Sequence, residues 1–128
     1  MRTGRGLISR LIKPRRFKRF QARDGAFVIL GSSPARGPKL KILDIGQGGL
    51  SFLYQGNPAE QEYHGQLSLM AGRGLYLDYV PFEAVSDVGL SELTGQESPW
   101  RRRSIRFKQL GYLDVRQLRE FIRRHCRF

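Results

Sequence analysis

The sequence predicts a mainly β fold, a small antiparallel barrel completed by one C-terminal α-helix. Short apolar or alternating segments recur between glycine-containing turns, which is typical of small barrels. Helical spacing of apolar residues becomes clear only in the last part of the chain. With 128 residues, the chain has the length of one domain that can bury a core without disulfides or metal.

Strand-like segments occur at regular intervals through most of the chain. Leu40 and Ile42 alternate with Lys39 and Lys41, a pattern that favours a half-buried strand. The Gly72-Arg73 pair suits the turn of a hairpin between two such segments. The predicted strands are residues 26–30, 39–45, 50–55, 65–71, 74–80, 82–88 and 102–108.

The remaining segments are predicted as a loop and a helix. Residues 91–99 are polar and loop-like, whereas the C-terminal segment is amphipathic and begins as a helix at Gly111 or Asp114. Arginines occupy the opposite face of this helix. Its apolar face consists of Val115, Leu118, Phe121 and Ile122.

Residues 1–14 are predicted to be a flexible basic arm that precedes a domain of residues 15–128. No apolar run approaches the roughly 18 residues that a membrane-spanning helix needs, so we expect no transmembrane segment. The single cysteine, Cys126, has no intrachain partner for a disulfide, which fits a reducing compartment. We therefore expect a cytoplasmic protein.

Charge is the unusual feature of the composition. The chain has 23 Lys and Arg against 11 Asp and Glu, a formal net charge of +12. A field of this sign attracts phosphates, nucleic acids and acidic lipids, although it also serves as a solubilising surface. Charge alone therefore indicates an anionic partner without identifying it.

Two short segments carry the most specific signal. Residues 15–19 read RRFKR, and residues 44–49, at the end of a predicted strand, read DIGQGG. Their order and context resemble the PilZ family, which has Arg-x-x-x-Arg in an N-terminal loop and Asp/Asn-x-Ser-x-x-Gly on a barrel strand. The resemblance extends from Lys13 to Ile122, because the closing strand and the helix also fit.

The match to the two family patterns is incomplete at one position. Arg15 and Arg19 match the first pattern, and Asp44 and Gly49 match the second. Gly46 stands where the family pattern has serine. Losing a hydroxyl contact costs about 0.5–1.5 kcal/mol, so we expect weakened ligand binding and tighter binding in a Gly46→Ser variant.

The resemblance implies a six-stranded antiparallel PilZ-like barrel with a C-terminal helix. It also implies a stand-alone receptor for cyclic di-GMP whose N-terminal loop changes on binding and which signals to an unidentified protein partner. Cyclic di-GMP would be the ligand, with no cofactor, no metal and no enzymatic activity. The ligand-binding residues implied are Arg15, Arg16, Arg19, Asp44, Gly46 and Gly49.

The residue types suit a dianionic purine ligand. The planar fork of arginine donors binds phosphate oxygens or the O6 and N7 edge of guanine, and it stacks on purines. Arg16 is either a third donor or a solvated neighbour of Arg15 and Arg19. Asp44 either accepts hydrogen bonds from the guanine edge, orients an arginine of the loop, or accepts hydrogen bonds from the backbone amides of the turn.

Two alternatives to a cyclic di-GMP receptor remain at this point. A basic nucleic-acid-binding barrel would use the positive charge and exposed aromatics, although Phe52 and Tyr54 fall at core-like alternation. A PilZ-like adaptor that no longer binds nucleotide is favoured by Gly46. The role of the run Arg101–Arg103 is also open: it extends the anion site, contacts acidic partners or, as we favour from sequence, is a solvated strand edge.

Overall fold

The structure, a computed structural model, describes residues 17–31 and 37–128. The predicted arm at residues 1–14 lies outside the described residues, as do Arg15 and Arg16. Predictions that concern them therefore remain predictions.

The described chain contains seven strands and two α-helices. Their bounds are β1 (Phe20–Gln21), β2 (Ala26–Leu30), β3 (Leu40–Ile45), β4 (Gly49–Gln55), β5 (His64–Ala71), β6 (Gly74–Gly89), α1 (Leu90–Thr94), β7 (Trp100–Phe107) and α2 (Tyr112–His125), with a 3₁₀ turn at Pro58–Glu60.

Six of the strands close into an antiparallel barrel. The order runs β3-β2-β5-β6-β7-β4, and β4 pairs again with β3 to complete the circle. The two-residue strand β1 pairs with the end of β3, outside the barrel circuit. Closure pairs the backbone N–H and C=O groups that two edge strands would otherwise leave without partners. The predicted six-stranded barrel with a C-terminal helix is therefore confirmed.

Alternating side chains of the strands fill the barrel. On β4, Leu50, Phe52 and Tyr54 point inward and are buried, as their spacing predicts. The predicted apolar face of α2 packs against the barrel and buries Leu118 and Phe121 completely. Continuous burial of this kind supplies most of the stabilisation of such a domain.

The residues after α2 return to the segment that follows β1. Cys126 forms an isolated bridge with Ala22, and the Arg127 amide donates to the Gln21 carbonyl at 2.8 Å. Burial raises the pKa of the Cys126 thiol to about 11, so this thiol is protonated and unreactive at neutral pH. The described N-terminal segment is thus fixed between β3 and the end of the chain.

Two local predictions are wrong, and one strand was missed. Residues 82–88 are not a separate strand, because β6 continues to Gly89 through a kink at Tyr79, whose φ is 54°. Residues 91–94 belong to α1 instead of a loop, and the left-handed Gly95 ends this helix. The strand β1 was not predicted, since two residues carry no alternation of their own.

The basic run on β7 is also not a solvated edge, because β7 lies between β4 and β6. Arg101 and Arg103 bind Asp87 with N–O distances of 2.6 and 2.7 Å, and the Arg103 side chain is only 7% exposed. Tyr54 also donates to Asp87. Burial opposes ionisation of Asp87, but the hydrogen bonds outweigh it and lower the pKa below the ordinary 3.8.

No helix in the described parts of the chain is both long and apolar enough to cross a bilayer.

We predict that Asp87→Ala lowers the free energy of unfolding by about 3–5 kcal/mol, because it leaves the buried Arg103 charge without its partner. Urea unfolding monitored by circular dichroism measures the loss. Because the pKa of Asp87 is lowered by folding, its contribution is present above pH 3.8 and is lost as the pH falls below that value. The variant should lack this acid-dependent loss.

Glu83→Ala is the matched control, since its partner Arg106 is 64% exposed. A pair with one partner in open solvent is screened, so the loss should be much smaller than in Asp87→Ala. Equal losses in the two variants would contradict the structural role assigned to Asp87.

Candidate functional site

The carboxylate of Asp44 is the centre of a charged cluster on the outer wall of the barrel. Its Oδ1 accepts from Arg19 Nη1 at 2.7 Å and from the Ser51 hydroxyl at 2.9 Å. Its Oδ2 accepts from Arg102 Nη2 at 2.7 Å. The Asp44 side chain is only 20% exposed, so these bonds form in a partly desolvated place where charge interactions are stronger than in water.

The position of Asp44 follows from a register shift in β3. Between Ile42 and Asp44 the pairing with β4 is irregular, and Ile42 and Ile45 both point into the core. An extra residue of this kind re-aims the side chains around it. Asp44 therefore faces outward beside Ser51, its partner on β4.

Pairing of β1 with β3 brings Arg19 to the same place. Phe20 lies opposite Ile45 and Gln21 lies opposite Asp44. The side chain of Arg19, just before β1, is 16% exposed and lies against the barrel. The structure thus brings together one arginine of the first motif and the aspartate of the second.

Arg102 reaches the cluster from β7 across β4. It pairs in register with Leu53, while Asp44 pairs with Ser51, so the contact runs diagonally over β4. The Nε atom of Arg102 is buried and has no hydrogen-bond partner within residues 17–31 and 37–128. The sequence offered the run Arg101–Arg103 as an extension of the anion site but favoured a solvated edge, because only the register of three strands places Arg102 beside Asp44.

Gly46 and Gly48 let the N-terminal segment lie directly on the β3–β4 turn. A Cβ at Gly46 would lie 2.3 Å from the Lys18 carbonyl oxygen, and one at Gly48 would lie 3.0 Å from the Phe17 ring. The Gly46 amide donates to the Gly49 carbonyl at 2.9 Å and closes the turn. The Lys18 backbone therefore occupies the space that a serine side chain at position 46 would need in order to contact a ligand.

A glycine is required at position 49 for a different reason, the close packing of neighbouring strands. A Cβ there would lie 2.1 Å from the Ile105 carbonyl oxygen and 2.9 Å from Arg106 Cα, in the neighbouring strand β7. Gly49 is buried and pairs with Arg106. Close packing of β4 on β7 thus explains this glycine, and a contact with ligand stays a prediction.

The cluster is suited to binding an anion. Two guanidinium groups, on Arg19 and Arg102, surround one carboxylate, so the three groups carry a net charge of +1, with Lys18 adjacent. The carboxylate holds one nitrogen of each guanidinium group, which restrains both groups before a phosphate or purine binds. Within the described residues, no group of three acidic, His or Cys side chains has the geometry of a metal site.

Solved structures share this architecture. The chain superposes on the K. pneumoniae MrkH–c-di-GMP complex with a TM-score of 0.63 and 19% identity over 87% of its length. The PilZ domain of E. coli YcgR with c-di-GMP gives 0.63 and 19% over 86% of this chain and 89% of that domain. An uncharacterised Legionella protein gives 0.54 and 13% over 84% of this chain and 91% of that protein.

The likeness establishes the fold, which is that of a PilZ domain. The chain spans about half of MrkH, 52% of that protein's chain. A scan against protein-family models finds no match, and neither does a search of curated proteins.

We predict that Gly46→Ser lowers the free energy of unfolding by about 1–3 kcal/mol, because the added Cβ overlaps the Lys18 carbonyl. Chemical denaturation measures the effect. Gly74→Ser is the control, since a Cβ there has no neighbour closer than 3.5 Å. A Gly46→Ser protein as stable as the parent would show that segment 17–19 does not lie on the turn.

Proposed function

We propose that this chain is a receptor for cyclic di-GMP and binds it on the outer barrel wall around Asp44. The observation that carries the proposal is the pairing of Arg19 with Asp44, which joins the two motif segments on one face of the barrel. MrkH and the YcgR PilZ domain, which share the fold, are described with c-di-GMP bound. The chemistry of the cluster fits the two phosphodiesters and two guanines of this ligand.

Arginine supplies the principal contacts in the proposed complex. Arg15, Arg16 and Arg19 lie on one N-terminal segment, and Arg102 adds a donor from the barrel wall. Each guanidinium binds phosphate oxygens or the guanine Hoogsteen edge, and such charge-assisted hydrogen bonds contribute about 1.5–3 kcal/mol. Arg102 lies outside both motif segments, so its contact with the ligand is an addition to the motif contacts.

Asp44 acts in this proposal as a positioning residue. Both of its oxygens already accept hydrogen bonds from side chains of the chain itself, two of them arginines. Ligand binding would draw the N-terminal segment into a new arrangement around these arginines. A surface that differs between the two states would then signal to a protein partner.

Titration calorimetry with cyclic di-GMP tests the proposal. We expect saturable binding that weakens at least about tenfold in Arg19→Ala and in Arg102→Ala, since each variant loses a charge-assisted contact. Arg73→Ala, on the exposed β5–β6 turn, is the control and should bind like the parent. An Arg102→Ala variant with parental affinity would remove Arg102 from the site.

The same titration separates the competing functions. No heat with cyclic di-GMP, together with RNA binding that weakens steeply with salt, would favour a nucleic-acid-binding barrel. No response to either ligand would favour a protein-binding adaptor that does not use the nucleotide.

Asp44→Asn distinguishes positioning from simple charge attraction. The substitution removes a negative charge from an anion site, so attraction alone would make binding tighter. If Asp44 holds Arg19 and Arg102 in place, binding weakens, by about tenfold for the loss of a charge-assisted contact. Calorimetry at two salt concentrations measures whether the affinity for cyclic di-GMP falls or rises. Tighter binding by the variant would contradict the positioning role.

A further inference from the structure

A groove lies between α2 and the N-terminal segment, beside the cluster around Asp44. Its first part is a cavity of about 380 Å³. Phe17, Lys18 and Phe20 form one wall, and α2 forms the other with Arg119 and Arg123.

The groove continues along α2. A second depression of about 550 Å³ shares Arg119 and Arg123 with the first and extends to Leu113 and Arg116. Arg116, Arg119 and Arg123 are exposed at helical spacings of three and four residues, so they follow one side of the helix over about 10 Å. Together the two depressions suit an extended occupant better than a compact molecule.

The first cavity is largely apolar. The rings of Phe20 and Phe128 lie 5.1 Å apart, and Ile122 adds an aliphatic surface. Phe17 at the wall is 38% exposed, and Leu113 at the far end is 69% exposed. A large apolar side chain inserted here would remove these surfaces from water, as the anchors of protein interfaces do.

The rim of the groove is strongly basic. Lys18 lines the first depression, Arg116 lines the second, and Arg119 and Arg123 line both, whereas the one carboxylate among these lining residues is Glu120. Glu120 accepts hydrogen bonds from Arg123 and Arg124, which lower its pKa to about 2, so it is ionised at neutral pH. It neutralises only part of this charge.

From this combination we infer that the groove binds an acidic amphipathic segment of a partner protein. A large apolar residue of that segment fills the cavity between Phe17 and Phe128, and acidic residues on either side pair with Arg116, Arg119 and Lys18. A nucleic acid would use the cations but would leave the apolar cavity without a complement.

This inference rests on the proposed function in one respect. Lys18 forms the groove wall, and its carbonyl lies on Gly46, while the next residue, Arg19, binds Asp44. Gln47 of the β3–β4 turn also lines the groove. A ligand that rearranges Arg19 would therefore move a wall of the groove and change the affinity for the segment.

Selection from a library of random linear peptides displayed on phage tests the groove, with the full chain as target. We expect the enriched peptides to combine one large apolar or aromatic residue with several Asp or Glu residues. Fluorescence anisotropy of a labelled enriched peptide should show at least about tenfold weaker binding to Arg119→Glu and to Phe17→Ala. Arg73→Glu is the matched charge control and should change the affinity less than about twofold.

Several outcomes would overturn the inference. They are an absence of enriched peptides, peptides without acidic residues, peptides whose binding ignores Arg119→Glu, and displacement of the peptide by RNA. Sedimentation that shows a dimer broken by Arg119→Glu would assign the groove to a second copy of the chain instead. Circular dichroism confirms that each variant is folded.

Cyclic di-GMP added to the anisotropy assay separates the two proposals. If the peptide binds but calorimetry shows no binding of cyclic di-GMP, the receptor proposal is contradicted and the proposal of a peptide-binding groove stands. Nucleotide binding without peptide binding would do the reverse. If both ligands bind, a change in peptide affinity of at least about threefold is expected from the shared wall, and an unchanged affinity would overturn the coupling.

Discussion

The hydrogen-bonded ion pairs of Asp44 with Arg19 and Arg102 are the interaction on which the site depends. They connect an N-terminal segment to two strands of a closed barrel in a place where the carboxylate is only 20% exposed. A contact of this kind is stronger than a pair at the open surface, where screening and side-chain entropy remove most of the gain. It holds two guanidinium groups on the two oxygens of one carboxylate without neutralising both.

A second arginine–aspartate network, around Asp87, shows how differently the barrel uses the same residue types. Arg103 there is almost completely buried and binds Asp87 and the Glu62 carbonyl, so its charge is paired within the fold. Arg102, one residue away, faces outward because side chains alternate along β7. Neighbouring arginines of one strand therefore divide between a structural network and the proposed ligand site.

The N-terminal segment connects the two proposed binding surfaces. One of its residues, Arg19, binds Asp44, while Phe17 and Lys18 form a wall of the groove beside α2. Such close approach depends on Gly46 and Gly48, since any side chain there would meet this segment. The glycine that departs from the family pattern thus has a packing role, and an order change in one short segment would reach both surfaces.

The amino-acid pattern alone was enough to predict the barrel and the helix, and the family resemblance assigned Arg19 and Asp44 to one ligand site. Apolar periodicity is local, and the two motifs carry their own family resemblance. The part played by Arg102, the close contact of Lys18 with Gly46 and the groove along α2 required the folded chain. Each arises from strand register and packing between segments distant in sequence, and a one-residue change of register would turn Arg102 to the opposite face.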